Sequence, residues 1–396
     1  MKKRIVGVAA LLACAGAAPQ TSPSPQGRTD ADARFDAVVT YLRSQVDSAF
    51  PGAVIAVGRH DSVLLLTAVG HYGVDDPRPV TTETVYDLAS LTKVIGLTTA
   101  CMMLVGEGKL DLDAPVQRYV PAFRGPNKER VTIRHLLTHS SGLPAWRPLY
   151  IEATTRAVAF AIADTTLLLR QPGDTFVYSD LGAMVLTQVV EGLTSQRLDA
   201  YLDAHEFKPL GMTSTRFLPP SQWRNRIAPT ERSQDGTIIL GTVHDENSWK
   251  LGGVSGHAGL FSTAGDLARF AGWLLDVREG RRRAAEGGEG TPSADLRRLS
   301  PSLVQEFTHR QGLPAGSSRA LGWDTPSENS SAGTKMGPRA FGHTGFTGTS
   351  IWIDPDKDLY IILLTNRVNP TRENNRIGRV RPRVADLVVD ALTPPR

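Results

Sequence analysis

The sequence predicts an α+β fold: an antiparallel sheet flanked by helices and built from both chain ends, with a helical region inserted between them. Two observations carry this. β-rich runs lie near both ends, at Val54–Val57, Val63–Val69, Ser350–Ile353 and Leu359–Thr365, whereas residues 116–310 read as helices and loops. The 396 residues also exceed the size, about 250–300, at which one hydrophobic core stops growing. Two packed regions are therefore expected, an α/β region from 31–115 and 311–396 and a mostly helical one from 116–310.

Each element has a local reason. Phe35, Val38, Val39, Leu42 and Val46 recur at helical spacing over 31–49, and Pro51-Gly52 ends that helix. The first two β runs surround Arg59-His60-Asp61-Ser62, which predicts a hairpin. Val94, Ile95, Leu97 and Ala100–Leu104 make a helix apolar on most sides, starting at Ser90 and ending near Gly106 and Gly108. Ile133–His139, Ala153–Ala163 and Leu181–Glu191 are helical candidates, as is Ala264–Val277 with Thr263 as its cap. Residues 278–297, polar and rich in Gly and Arg, read as a mobile insertion. Asp354–Asp358 is a turn between the last two β runs, and Val384–Leu392 is a final helix.

Residues 1–18 read as a signal peptide, with Lys2, Lys3 and Arg4 before the apolar run Ile5–Ala13. Leu11-Leu12-Ala13-Cys14 resembles a bacterial lipobox, which makes Cys14 the expected lipidated residue; cleavage after Ala15-Gly16-Ala17 is the alternative. Residues 19–30, rich in Pro, Ser and Gln, form a tether. The expectation is an exported, periplasmic protein that meets the membrane only through that lipid. Cys101 is the only other cysteine, so no disulfide is expected in the mature domain. The net charge of +4 concentrates in Arg278–Arg283 and Arg376–Arg383, which lack interleaved aromatics and read as solvated surface rather than a nucleic-acid groove.

The chemistry is expected around Ser90-Leu91-Thr92-Lys93. Residues three apart on a helix share a face, so hydroxyl and amine can meet. A helix N-terminus also favours an oxyanion forming beside the serine. A lysine one turn into a buried helix needs a reason to be there. Tyr178-Ser179-Asp180, on a loop before a helix, offers a phenol as a proton shuttle. Phe341–Thr349 enters a strand, and its glycines allow another backbone to approach closely.

Ser90-Leu91-Thr92-Lys93, Tyr178-Ser179-Asp180 and His343-Thr344-Gly345 occur in the order seen in serine β-lactamase-related enzymes. The chain resembles the branch holding class C β-lactamases, D-alanyl-D-alanine carboxypeptidases and family esterases. His135–Leu143 and Gly256–Thr263 share the likeness, which spans roughly residues 35–390. The resemblance implies a β-lactamase/transpeptidase-like fold and a serine hydrolase without metal or cofactor. Ser90 attacks a carbonyl while Lys93 and Tyr178 share its proton. The N–H groups of Ser90 and Phe346 hold the oxyanion, and water cleaves the acyl-Ser90 intermediate. His343, Thr344 and Gly345 line the substrate edge. The implied substrates are a small ester or a peptidoglycan-derived peptide, with weak β-lactamase action at most, and no nucleic-acid partner. The alternative is a non-catalytic, envelope-anchored binding protein that keeps the pocket.

Two residues depart from the pattern. Asp180 stands where many members carry asparagine; its charge would favour protonated Lys93 and shift the base role toward Tyr178. His343 stands where β-lactamases carry lysine, and a neutral histidine attracts a substrate carboxylate less. His135 and His139 are four apart, as in a zinc site, but no glutamate follows His135 and no third ligand is evident. Ser255-Gly256-His257 lacks the Gly-x-Ser-x-Gly elbow.

Overall fold

The computed structural model describes residues 33–281, 296 and 299–393. The signal peptide, Cys14, the tether and most of the 278–297 insertion lie outside the described residues.

A six-stranded antiparallel sheet runs in the order β3-β2-β1-β9-β8-β7. It comprises β1 (Gly52–Gly58), β2 (Val63–Gly73), β3 (Asp76–Pro79), β7 (Phe341–Thr344), β8 (Ser350–Asp354) and β9 (Leu359–Thr365). The two chain ends meet where β1 pairs with β9, from Ala53↔Thr365 to Gly58↔Tyr360. Every residue of both strands is buried, because both sheet faces are covered. This explains why their sequences read as continuous apolar runs. Alternate side chains part company: Val54, Ala56, Ile362 and Leu364 join the main core, while Ala53, Ile55, Ile361 and Leu363 face a second cluster.

That second cluster packs α1 (Asp36–Ser44) and the C-terminal helix, Ile377–Leu392, onto the back of the sheet. The C-terminal helix starts seven residues before the expected Val384 and contains Pro382, a residue that helix interiors ordinarily exclude. The main core lies on the other face. It takes in the helix after Ser90, α2 (Thr99–Gly106), α3 (Ile133–Leu137), α4 (Leu149–Glu152), α5 (Arg156–Thr165), α6 (Asp180–Thr194), α7 (Leu198–Leu202), α8 (Glu246–Lys250), α9 (Ala264–Arg278) and α10 (Pro301–Thr308). By the same chain order, Ile377–Leu392 is α11. Helix α9, assigned to the central region on sequence grounds, lies against β1 and β9. A small second sheet joins β4 (Tyr86–Asp87), β6 (Leu260–Ser262) and β5 (Arg216–Phe217).

Several helix ends differ from expectation. Ser179 caps α6, whose first residue is Asp180: the Ser179 hydroxyl accepts the Gly182 N–H at 3.2 Å. Thr155 caps α5, so that helix begins three residues after Ala153. Helix α3 stops at Leu137, and His139 leaves it in a left-handed conformation, φ 56°. The two basic segments are not simply solvated: Arg278 is buried against Thr308, and Arg381 donates to main-chain carbonyls beside the cleft.

Candidate active site

Ser90 is at the end of the turn that leaves β4, and helix begins at Leu91. The segment Lys93–Thr98 is wound as π-helix, a form that recurs at functional sites. Ala89, just before the serine, has φ 47°, which is strained for a residue with a Cβ. The strain is held by its neighbours. The buried Asp87 carboxylate accepts the Ala89 N–H at 2.8 Å, and the Thr347 and Thr349 hydroxyls donate to the carbonyls of Asp87 and Leu88. The β7–β8 turn therefore lies directly on the serine turn. Gly345 has to be glycine there, since a Cβ would come within 2.4 Å of the Leu88 carbonyl oxygen.

Lys93 is 3% exposed, and its ammonium is surrounded by oxygen atoms. Nζ is 3.1 Å from Ser90 Oγ, 3.0 Å from the His257 carbonyl and 2.7 Å from Asp180 Oδ1. Burial alone would lower its pKa, but the Asp180 carboxylate and the Tyr178 phenol outweigh burial and hold it above the ordinary lysine value. Nζ also lies 4.8 Å from the centre of the Tyr178 ring. The Tyr178 hydroxyl is near this charge, but it is buried without a hydrogen bond in good geometry among the described residues.

Two histidines flank the phenol, and burial, followed by the cations Arg319 and Lys93, pushes both well below the usual histidine range. His139 packs against Tyr178 with ring centres 4.5 Å apart, and its Nδ1 accepts the Ser179 N–H at 3.1 Å. His343 Nδ1 is 2.8 Å from the Thr344 carbonyl; that oxygen can only accept, so Nδ1 carries the proton. His343 Nε2 is then an acceptor, buried and unpartnered among the described residues. His135, the other half of the spacing considered for zinc, caps its own helix by accepting the Thr132 N–H at 3.1 Å.

A cleft of about 700 Å³ opens over these groups, lined by Ser90, Tyr178, His343, Thr344, Gly345 and Phe346. Six of the eight residues singled out in the sequence thus share one cavity, and the other two, Lys93 and Asp180, form an ion pair next to Ser90. Neither the Ser90 nor the Phe346 N–H donates to any described residue. Sequence reading missed the arginines of the cleft wall: Arg319, Arg367 and Arg381. The Arg319 guanidinium lies 5.4 Å from the Tyr178 ring centre, and its Nη1 is buried without a partner. A half-buried cation is a signal only once its neighbours are known, here Tyr178 and the Asp324 carboxylate 3.9 Å from Nε, and Arg319 sits in a loop with no pattern of its own.

A serine and lysine one turn apart, between an antiparallel sheet and a helical region, define the β-lactamase/transpeptidase-like class of protein. The family model described as Beta-lactamase matches residues 32–385, and the chain belongs to that family. A curated relative from Salmonella schwarzengrund (strain CVM19633), named putative D-alanyl-D-alanine carboxypeptidase, is 32% identical over 377 residues, covering 85% of this chain and 84% of the relative. Among solved structures, a class C β-lactamase superposes with a TM-score of 0.73 at 18% identity, covering 94% of this chain and 99% of its own. EstCE1, a hydrolase with promiscuous acyltransferase activity, gives 0.70 at 22% identity, covering 91% and 100%. Membership makes the chain a serine hydrolase of the β-lactamase-related kind.

Proposed function

We propose that this protein is a D-alanyl-peptidase-type acyl hydrolase that works through an acyl-Ser90 intermediate. The single observation that supports it most is the threefold engagement of Lys93 Nζ with Ser90 Oγ, the His257 carbonyl and Asp180. Lys93, ion-paired with Asp180 and held above the ordinary lysine value, acts as a fixed cation, and Tyr178, present as the phenolate beside that charge, takes the serine proton and becomes the neutral phenol. The Lys93 charge lies 4.8 Å from the centre of the ring that carries the phenolate. Ser90 Oγ then attacks the carbonyl, whose oxygen accepts from the free N–H groups of Ser90 and Phe346. Tyr178 returns its proton to the leaving group, and water releases the acyl group by the same route in reverse.

Arg319 favours a peptide over a neutral ester. His343 is neutral, but the unpartnered Arg319 Nη1 offers a charged donor to a terminal carboxylate. The name of the Salmonella relative points the same way. Export and a lipid on Cys14 belong to this proposal too, supported by Leu11–Cys14. The test is a hydrolysis panel of D-Ala-D-Ala peptides, short acyl esters and a chromogenic cephalosporin, each with Ser90→Ala as control. Peptide cleavage that disappears in the variant is expected. Ester cleavage alone would move the assignment to the esterases of the family. No turnover, with no fluorophosphonate labelling of Ser90, would make it a binding protein.

A further inference from the structure

The structure assigns Arg381 and Arg367 a role as positioning residues for the Phe346 oxyanion donor. This rests on the hydrolase reading above. The N–H of Phe346 belongs to the peptide unit whose carbonyl is that of Gly345. A trans peptide is planar, with C=O and N–H pointing in opposite directions, so whatever grips the oxygen aims the N–H. Arg381 Nη2 donates to the Gly345 oxygen at 2.6 Å, and also to the Thr349 oxygen at 2.8 Å. The next carbonyl, that of Phe346, accepts from Arg367 Nε at 2.7 Å, and the same guanidinium lies 4.4 Å from the Phe346 ring centre. Two consecutive carbonyls of one turn are thus each held by an arginine.

The two arginines are themselves anchored. Arg367 is 4% exposed, and its Nη1 donates to the Arg372 and Asn374 oxygens at 2.7 and 2.9 Å. Arg381 projects from α11, whose other side is packed on the sheet. On the far side of the turn, the Phe346 ring stacks on His244, whose N–H donates to Asp87 Oδ2 at 2.7 Å. The other Asp87 oxygen holds the Ala89 N–H, next to Ser90. One carboxylate thus ties together the segments that carry the two free N–H groups. A cation on the carbonyl also polarises its amide, making the N–H a stronger donor when negative charge develops in front of it.

The test is the rate of fluorophosphonate labelling of Ser90, together with kcat and KM for p-nitrophenyl acetate, in Arg381→Met, Arg381→Gln and Arg381→Lys. Arg383→Met, an exposed change two residues along the same helix, is the control. Expected is labelling and kcat about 10–100-fold lower in Arg381→Met, KM within about threefold, and recovery of most of the loss in Arg381→Lys. Should the methionine variant not fold, the glutamine variant is judged by the same criterion. Labelling at the wild-type rate in the folded Met or Gln variant overturns the inference and leaves the hydrolase reading standing. A raised KM with kcat intact also overturns it, and makes Arg381 a substrate-binding group. If the wild-type protein is not labelled, the hydrolase reading fails and the inference goes with it.

Discussion

The two faces of the six-stranded sheet are equally well buried and put to different uses. On the back, α1 and α11 enclose an apolar cluster that includes Phe35, Leu42, Ile361 and Val388. On the front, next to a larger apolar core, the same degree of burial falls on Lys93, Asp87, His139, His257 and His343. The first arrangement gains stability from removing apolar surface from water. The second sets charge and tautomer by denying water to polar groups, which costs stability unless each has a partner. Burial, then, does not tell core from site. The content of the buried volume does.

Four measurements can break or sharpen that contrast. The largest effect is on the front: Ser90→Ala is expected to lower hydrolysis by at least about 10⁴-fold with an unchanged melting temperature, read by steady-state kinetics and thermal unfolding. Activity surviving that change would remove the site from where it is placed here. On the back, Leu42→Ala should cost about 2–4 kcal/mol in urea unfolding while kcat per folded molecule stays the same. A changed kcat would mean that the two faces are not separable.

Acid should expose the front face next. His139 and His343 are held well below the ordinary value of about 6.5. Below that pH the unfolded chain binds protons that the folded chain refuses, so stability rises with pH there and falls on acidification. The slope is up to about 1.4 kcal/mol per pH unit for each histidine, and His343→Gln should remove one such share. Unfolding titrations between pH 7 and 5 check this; a flat profile refutes it. The smallest effect on turnover belongs to Asp180→Asn, which should keep activity within about tenfold under the proposed mechanism, in which Tyr178 takes the serine proton. It should still destabilise the fold by roughly 1–3 kcal/mol, since Lys93 loses its carboxylate. The sign follows from the raised Lys93 pKa. The pair's stabilisation is complete below the ordinary lysine value and is lost only as pH rises through the higher folded one. Complete loss of activity would give Asp180 a chemical role.

How much of this was legible in the chain depended on range. The β1–β2 hairpin and the β8–β9 turn were readable because their signals are local: apolar runs separated by turn residues. The first turns of α11 are not legible in the sequence because Pro382 interrupts the helical signal, and the helix that runs through it is packed on the sheet. Ser179 and Asp180 are equally good capping residue types side by side, so the cap of α6 is decided by the fold. In the sequence His139 shows only a spacing from His135 and a place in a family-like stretch; its position beside Tyr178 comes from a backbone turn at φ 56° that neither reveals.

The sequence by itself determined the fold class, the Ser90–Lys93 pairing and the candidates Tyr178, Asp180 and His343–Phe346, because helical period and motif order are properties of the chain. Only the tertiary structure decided that Lys93 is ion-paired with Asp180, that His343 turns Nδ1 to the Thr344 carbonyl, and that three arginines line the cleft. Those outcomes depend on which groups exclude water from one another across separations of 87 to 164 residues, and no local pattern encodes that.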